Sequence, residues 1–251
     1  MERDMDSAVV LVTGGGRGIG RATALSFAER GANVVVGYFR NRETAEETCN
    51  AIEGHGVKAL AVKAHVGDEA QLDSLFDQVD EVFGRLDVFV SNAATGVIKP
   101  VAALDARAWS WTMDSNARPL LLGARRASQL MPDGGNIIAV SSLGATRVLP
   151  NYAVVGASKA AIEALVRYLA VEFAPKIRVN AVSPGVVDTD ALKHFPMREE
   201  MLEHAEVSTP AGRLVTPEDV AGVVGFLTSP EAGMITGQTV VIDGGASLMA
   251  V

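Results

Sequence analysis

Tyr152 and Lys159 stand seven positions apart, and they are the two side chains of this sequence best suited to move a proton beside a bound ligand. If one helix carries both, seven steps of about 100° bring Lys159 back to within roughly 20° of Tyr152, two turns and ~10.5 Å further along. They then share a face. Just before them an apolar run ends in Ser141-Ser142, which places hydroxyls near the same cleft. Pro150-Asn151 reads as a helix start, with Asn151 as N-cap and Tyr152 in the first turn. A phenol at 155 would touch Lys159 as an i,i+4 neighbour, but that residue is Val155.

A second cluster suits an anion. Thr13-Gly14-Gly15-Gly16-Arg17-Gly18-Ile19-Gly20 follows an apolar run and precedes an amphipathic pattern over 21–30. Glycines let backbone N–H groups approach a pyrophosphate, and the helix that follows turns its positive end toward it. An Asp or Glu about 20 residues further on would hold a free ribose 2′-hydroxyl. That place reads Gly37-Tyr38-Phe39-Arg40-Asn41-Arg42, with no carboxylate before Glu43. Arg17, Arg40 and Arg42, with Asn41 among them, are the expected partners of a 2′-phosphate, so NADPH is the expected cofactor. The plainer alternative for Arg40 and Arg42 is a solvated loop opening the next helix.

These residues need elements to hold them. Short β-branched runs at 8–13, 33–38, 57–62, 86–91, 136–141, 177–182 and 239–242 alternate with longer helical patterns. The runs are near-continuously apolar, as when helices cover both faces of a parallel sheet. The expected class is α/β, a doubly wound, seven-stranded parallel sheet; a closed barrel would need an eighth strand, which the sequence lacks. No repeat or linker divides residues 1–251, which read as one domain. No apolar run reaches the ~20 residues that cross a bilayer, and 1–7 carries no export pattern, so the expected location is the cytoplasm. One cysteine, Cys49, and four dispersed histidines offer no metal cluster, and a net charge of −8 argues against nucleic acid as a partner.

Taken in order, Thr13 to Gly20, Asn92-Ala93-Ala94, Asn116, Ser142, Lys159 and Pro184-Gly185 resemble the short-chain dehydrogenase/reductase family over essentially the whole chain. The resemblance implies a Rossmann-type sheet binding NAD(H) or NADP(H). It sets Asn92 and Ala93 beneath the adenosine ribose, Val66 near the adenine, and Pro184, Gly185, Val187 and Thr189 around the nicotinamide carboxamide. It gives Asn116 an ordered water near the lysine and Ser142 the place of the usual family serine, which here either binds substrate or caps the strand end. His65 departs from the pattern, because the family commonly has Asp there.

Most such reductases carry Tyr-x-x-x-Lys, and Val155 stands where that tyrosine belongs. Of three tyrosines, Tyr38 lies at the adenosine end and Tyr168 falls on the opposite helix face, leaving Tyr152. Tyr-x6-Lys is the signature of the enoyl-acyl carrier protein reductases, and the chain looks most like their bacterial type III form. The likeness extends to Ser141-Ser142-Leu143-Gly144 and to 151–161, 188–196, 209–213 and 237–248. It implies reduction of an enoyl thioester, delivered by an acidic acyl carrier protein, in a homotetramer with a substrate lid at 188–210. Ala94, Thr95, Leu143, Tyr152, Leu192 and Phe195 are the substrate-lining candidates; Leu192, Phe195 and Met197 either line the acyl channel or pack the lid. Lys193, Arg198, Arg125 and Arg126 are candidates for a carrier-docking patch. The competing readings are a carbonyl or alcohol oxidoreductase of the same family and a non-catalytic NADP(H) sensor.

Overall fold

The computed structural model describes residues 4–189, 199, 202 and 209–249. Seven strands, β1 (Val9–Thr13), β2 (Asn33–Tyr38), β3 (Ala59–Lys63), β4 (Val88–Ser91), β5 (Gly135–Val140), β6 (Ile177–Pro184) and β7 (Thr239–Ile242), form one sheet ordered β3-β2-β1-β4-β5-β6-β7. Every pairing is parallel. The expected doubly wound sheet is therefore present, with strand edges within two residues of those read from the sequence. The chain order reverses between β1 and β4, and such a reversal opens a crevice beyond the strand ends.

Alternate strand residues feed opposite cores, which is why the strands read as unbroken apolar runs. Val9 and Leu11 pack with Leu72, Phe76, Leu120 and Val166 from α3 (Glu69–Phe83), α4 (Ala106–Leu130) and α5 (Ala153–Glu172). Val10 and Val12 pack on the other face with Phe27, Ile52, Val220 and Val224. These come from α1 (Gly18–Glu29), α2 (Arg42–Glu53) and a last helix, α6 (Pro217–Thr228). No described helix is long and apolar enough to cross a membrane.

Side chains cap four of these helices at their N-termini: Asn41 for α2, Asp68 for α3, Asp105 for α4, and Thr216 with Asp219 in a reciprocal capping box for α6. The other two, α1 and α5, have no side-chain cap. The start of α5 thus differs from expectation. Asn151 adopts φ 61°, a left-handed conformation that asparagine tolerates, and Tyr152 is the N-cap residue. Its carbonyl accepts the first helical bond, from Gly156 N at 2.7 Å.

Gly123 lets α4 lie close on the sheet, because a Cβ there would stand 2.7 and 2.8 Å from the ring of buried Phe89. Gly123→Ala is expected to cost about 1–3 kcal/mol through overpacking. Urea unfolding should show a lower midpoint with an unchanged slope; an unchanged midpoint would mean that the ring has room to move.

Candidate active site

A cleft of about 660 Å³ runs across the carboxyl ends of the strands. At its nucleotide end the β1–α1 turn is shaped by close backbone approach. Gly14 has φ +67° and Gly18 +51°, and a Cβ on Gly20 would stand 2.2 Å from the Gly14 carbonyl. Thr13 Oγ1 accepts from the backbone N–H of Asn92 and Ala93 at 3.0 and 3.1 Å, and Asn92 Nδ2 donates to the Thr13 carbonyl at 2.9 Å. The loops after β1 and β4 are thereby locked together. With α1 uncapped by any side chain, its N-terminal amides face the cleft, and the glycine cradle fits a dinucleotide pyrophosphate.

Arg17, Ile19, Arg40, Asn41 and Val66 line this end, as the sequence reading placed them. Arg42 does not join them. Its guanidinium pairs with Glu46 at 2.6 Å, one turn along α2, where the i,i+4 geometry offers a carboxylate. An aromatic wall not foreseen from the sequence completes the region: the His65 ring lies 4.5 Å from Phe39 and 5.4 Å from Trp111, and all three border the cleft. They arrive from three separate elements, so spacing gave no signal of their meeting.

At the other end the cleft is bordered by Ser142, Leu143, Tyr152 and Lys159. The Tyr152 phenol is hydrogen-bonded to the Ser142 hydroxyl. Its ring lies over Gly144, where a Cβ would come within 2.5 Å of it. Burial pushes the phenol's pKa up, with the Ser142 bond opposing. Lys159 has no part in that shift. The buried Lys159 Nζ instead donates to the Val140 carbonyl at 2.7 Å, and desolvation brings its pKa down to about 8. Ser142 also accepts from Gly144 N at 3.2 Å, so it both caps the turn after β5 and meets the phenol.

Val155 is buried at 7% exposure and does not line the cleft; it packs against Gly96, where a Cβ would lie 2.4 Å from its Cγ2. The loop after β4 thus closes over the place where a phenol at 155 would emerge. Asn116 sits behind the cleft rather than on its wall: its Oδ1 accepts from Thr95 N and its Nδ2 donates to Ser158 Oγ, both at 2.9 Å. It ties the β4 loop, α4 and α5 together, a role its position in the sequence did not reveal.

Asn92, Ala93, Ala94, Thr95, Pro184, Gly185, Val187 and Thr189 all border the cleft, as does Leu149, which the sequence reading passed over. Leu192, Phe195, Met197, Lys193 and Arg198 lie outside the described residues, as does most of the segment read as a lid. Arg125 and Arg126 do not form an open basic patch. Arg126 pairs with Asp77 and Asp73, and Arg125 with Glu69 and Asp73, all on α3.

A parallel sheet with a glycine cradle at its crossover point and a buried lysine across the cleft defines a nicotinamide-nucleotide oxidoreductase. A family profile described as Enoyl-(Acyl carrier protein) reductase matches residues 14–247. The chain is 45% identical over 245 residues to 1-cyclohexenylcarbonyl-CoA reductase of Streptomyces collinus, covering 96% of this chain and 88% of that one. Among solved structures it superposes on a short-chain dehydrogenase/reductase of Serratia marcescens with TM-score 0.90 and 35% identity, covering 97% and 99% of the two chains. It superposes equally on a 7α-hydroxysteroid dehydrogenase complexed with NADH, with TM-score 0.91 and 32% identity over 97% and 96%. The protein belongs to the short-chain dehydrogenase/reductase family.

The lysine carries a pH signature. Its ordinary value of 10.5 holds in the unfolded chain, against about 8 in the folded protein. Between the two the unfolded chain holds the extra proton, so stability rises with pH across that window, and below it the full cost of burying the charge is present. Lys159→Met is expected to abolish turnover yet raise the urea midpoint at neutral pH. The gain should shrink as pH climbs from about 8 toward 10.5; a gain independent of pH would show that the buried charge is not its source.

Proposed function

We propose that the protein reduces the α,β double bond of enoyl thioesters with NADPH. The observation that carries this reading is the displacement of the phenol: Val155 is sealed beneath Gly96, and Tyr152 borders the cleft in its stead. A ketone takes hydride at its carbonyl carbon, beside the oxygen that needs a proton. An unsaturated thioester takes hydride at Cβ, and charge appears on an oxygen two bonds further away. A phenol one helical turn nearer the N-terminus shifts by ~4.5 Å, about the distance required. The named activity of the Streptomyces collinus relative, on a cyclohexenylcarbonyl thioester of coenzyme A, supports the same chemistry.

When bound, NADPH supplies the hydride that Cβ accepts. Tyr152, kept protonated by burial, donates its hydrogen bond to the thioester oxygen as enolate charge develops, and Ser142 steadies the phenol. Lys159 is assigned to the nicotinamide ribose and Asn116 to holding Thr95 at the substrate wall. Arg17, Arg40 and Asn41 would hold a 2′-phosphate, with Gly14, Gly18 and Gly20 at the pyrophosphate. The relative's name favours coenzyme A as carrier, the family profile's description an acyl carrier protein. Assembly as a homotetramer is part of the same proposal.

NADPH consumption with crotonyl-CoA and acetoacetyl-CoA in parallel tests the reading. The enoyl substrate should be strongly preferred; preference for the oxo substrate would make this a carbonyl reductase, as the steroid dehydrogenase likeness allows, and turnover of neither would favour a nucleotide sensor. Tyr152→Phe is expected to lower kcat by about 10²–10³-fold, the usual cost of losing an oxyanion donor.

The cofactor assignment has its own test. Arg40→Ala should raise KM for NADPH by about 10-fold or more, the worth of one charge-assisted bond, while leaving KM for NADH nearly unchanged. Equal effects on both nucleotides would move Arg40 out of the 2′-phosphate site.

A further inference from the structure

Three consecutive residues at the end of β5 each make one bond to the same face of α5. The Val140 carbonyl accepts from Lys159 Nζ at 2.7 Å, Ser141 Oγ donates to Glu163 Oε1 at 2.6 Å, and the Ser142 hydroxyl meets the Tyr152 phenol. Positions 152, 159 and 163 lie seven and four residues apart, so they share that face. The proposed chemistry uses the first and last of these contacts and leaves the middle one without a role. Glu163 forms no salt bridge among the described residues. Its carboxylate is bent onto a single hydroxyl of a residue only 4% exposed, at a distance typical of a charge-assisted bond.

The backbone explains why this matters. Val140 C=O and Ser141 N–H belong to one peptide plane. The carbonyl takes the Lys159 ammonium and the N–H donates to Val182 O on β6 at 2.7 Å. Beyond it the chain leaves the sheet and turns at Ser142, where nothing on the β6 side continues the ladder. A rotation of this segment would carry off the lysine's acceptor and the tyrosine's partner together. The Ser141 side chain is the handle that resists such a rotation, and Glu163 holds the handle.

We propose that Glu163 is a positioning residue that acts through Ser141 to hold segment 140–142, and so sets Lys159 and Tyr152 relative to one another. This rests on the reading of Tyr152 and Lys159 as the catalytic pair. The chemistry asks for a hydrogen-bond acceptor at 163 in the first place, so a glutamine should serve nearly as well as a carboxylate, and an alanine should not.

The test compares Glu163→Ala, Glu163→Gln, Ser141→Ala and the double variant Ser141→Ala/Glu163→Ala. Glu163→Ala and Ser141→Ala are each expected to lower kcat by about 10- to 100-fold, the scale of a small misplacement of reacting groups. KM for NADPH should stay within about threefold, a split that marks loss in the transition state rather than in binding. The double variant should be no worse than either single one, since both break one bond, and Glu163→Gln should recover most of the activity. Full kcat in Glu163→Ala overturns the proposal. So do additive losses in the double variant, which would mean that Glu163 acts other than through Ser141, and a lowered thermal midpoint with kcat intact, which would make the contact a structural clip.

A second readout needs no substrate: NMR titration of isotope-labelled tyrosine, with the Tyr152 signal assigned through Tyr152→Phe. Its pKa should move further up in Glu163→Ala and Ser141→Ala as Ser142 loosens, and should stay in place in Glu163→Gln. If wild-type protein turned over neither thioester, the function reading would fail, and this titration alone would decide the positioning role; an unmoved Tyr152 signal in Glu163→Ala would then overturn it.

Discussion

A charged amine held inside the protein is the constraint on which the rest of this structure turns. Moving an ammonium out of water costs several kcal/mol unless it is met by acceptors, and the Lys159 Nζ meets the carbonyl of Val140 at the end of a strand. Helix α5 lies against β5 with Lys159 on its buried face, and the turn after β5 presses onto its first turn. A Cβ on Gly156 would stand 2.6 Å from the Gly144 carbonyl, so the contact between turn and helix admits only glycine. The same closeness lays the Tyr152 ring over Gly144. The buried lysine, the tight turn and the phenol thus meet in one contact between β5 and α5.

The loop after β4 completes the arrangement from the other side. Gly96 settles onto Val155, Thr95 is fastened to Asn116, and Asn116 is fastened in turn to Ser158 on α5. Ser158 Oγ donates its own hydrogen bond to the Val155 carbonyl at 2.7 Å. Losing a tyrosine at 155 therefore does not leave a hole. The space is filled by backbone, and Asn116, Ser158 and the Val155 carbonyl satisfy one another around it.

The elements themselves were legible because they carry local signals: β-branched runs buried on both faces, and a glycine turn whose backbone conformation or close contacts exclude a side chain. The cofactor cradle and the Tyr152–Lys159 pair followed from spacing and from a count of three tyrosines. What escaped was the choice of partner among residues far apart in sequence. Arg42 took the nearest carboxylate, Glu46, and Arg125 and Arg126 took the acidic face of α3, because a surface cation pairs with whatever packing brings close. The Phe39–His65–Trp111 wall and the Ser141–Glu163 bond are products of tertiary assembly in the same sense. Asn151 misled for a local reason, since asparagine suits both an N-cap and a left-handed turn, and only the geometry of the turn decides between them.

Among the described α-helices, α1 and α5 start without a side-chain cap, and Gly18, Ile19 and Gly20 of α1 and Tyr152 at the start of α5 border the cleft. In the other described α-helices the start is finished by its own aspartate, asparagine or threonine; at α1 a bound anion can take that place. A ligand present at about a hundred times its dissociation constant adds ~2.7 kcal/mol to the folded state by mass action alone, a sizeable share of what holds a domain together. The lifetime of the polypeptide against heat and proteases thereby becomes a reading of nucleotide supply, and a cell short of the nucleotide would hold less of this protein without any change in its synthesis.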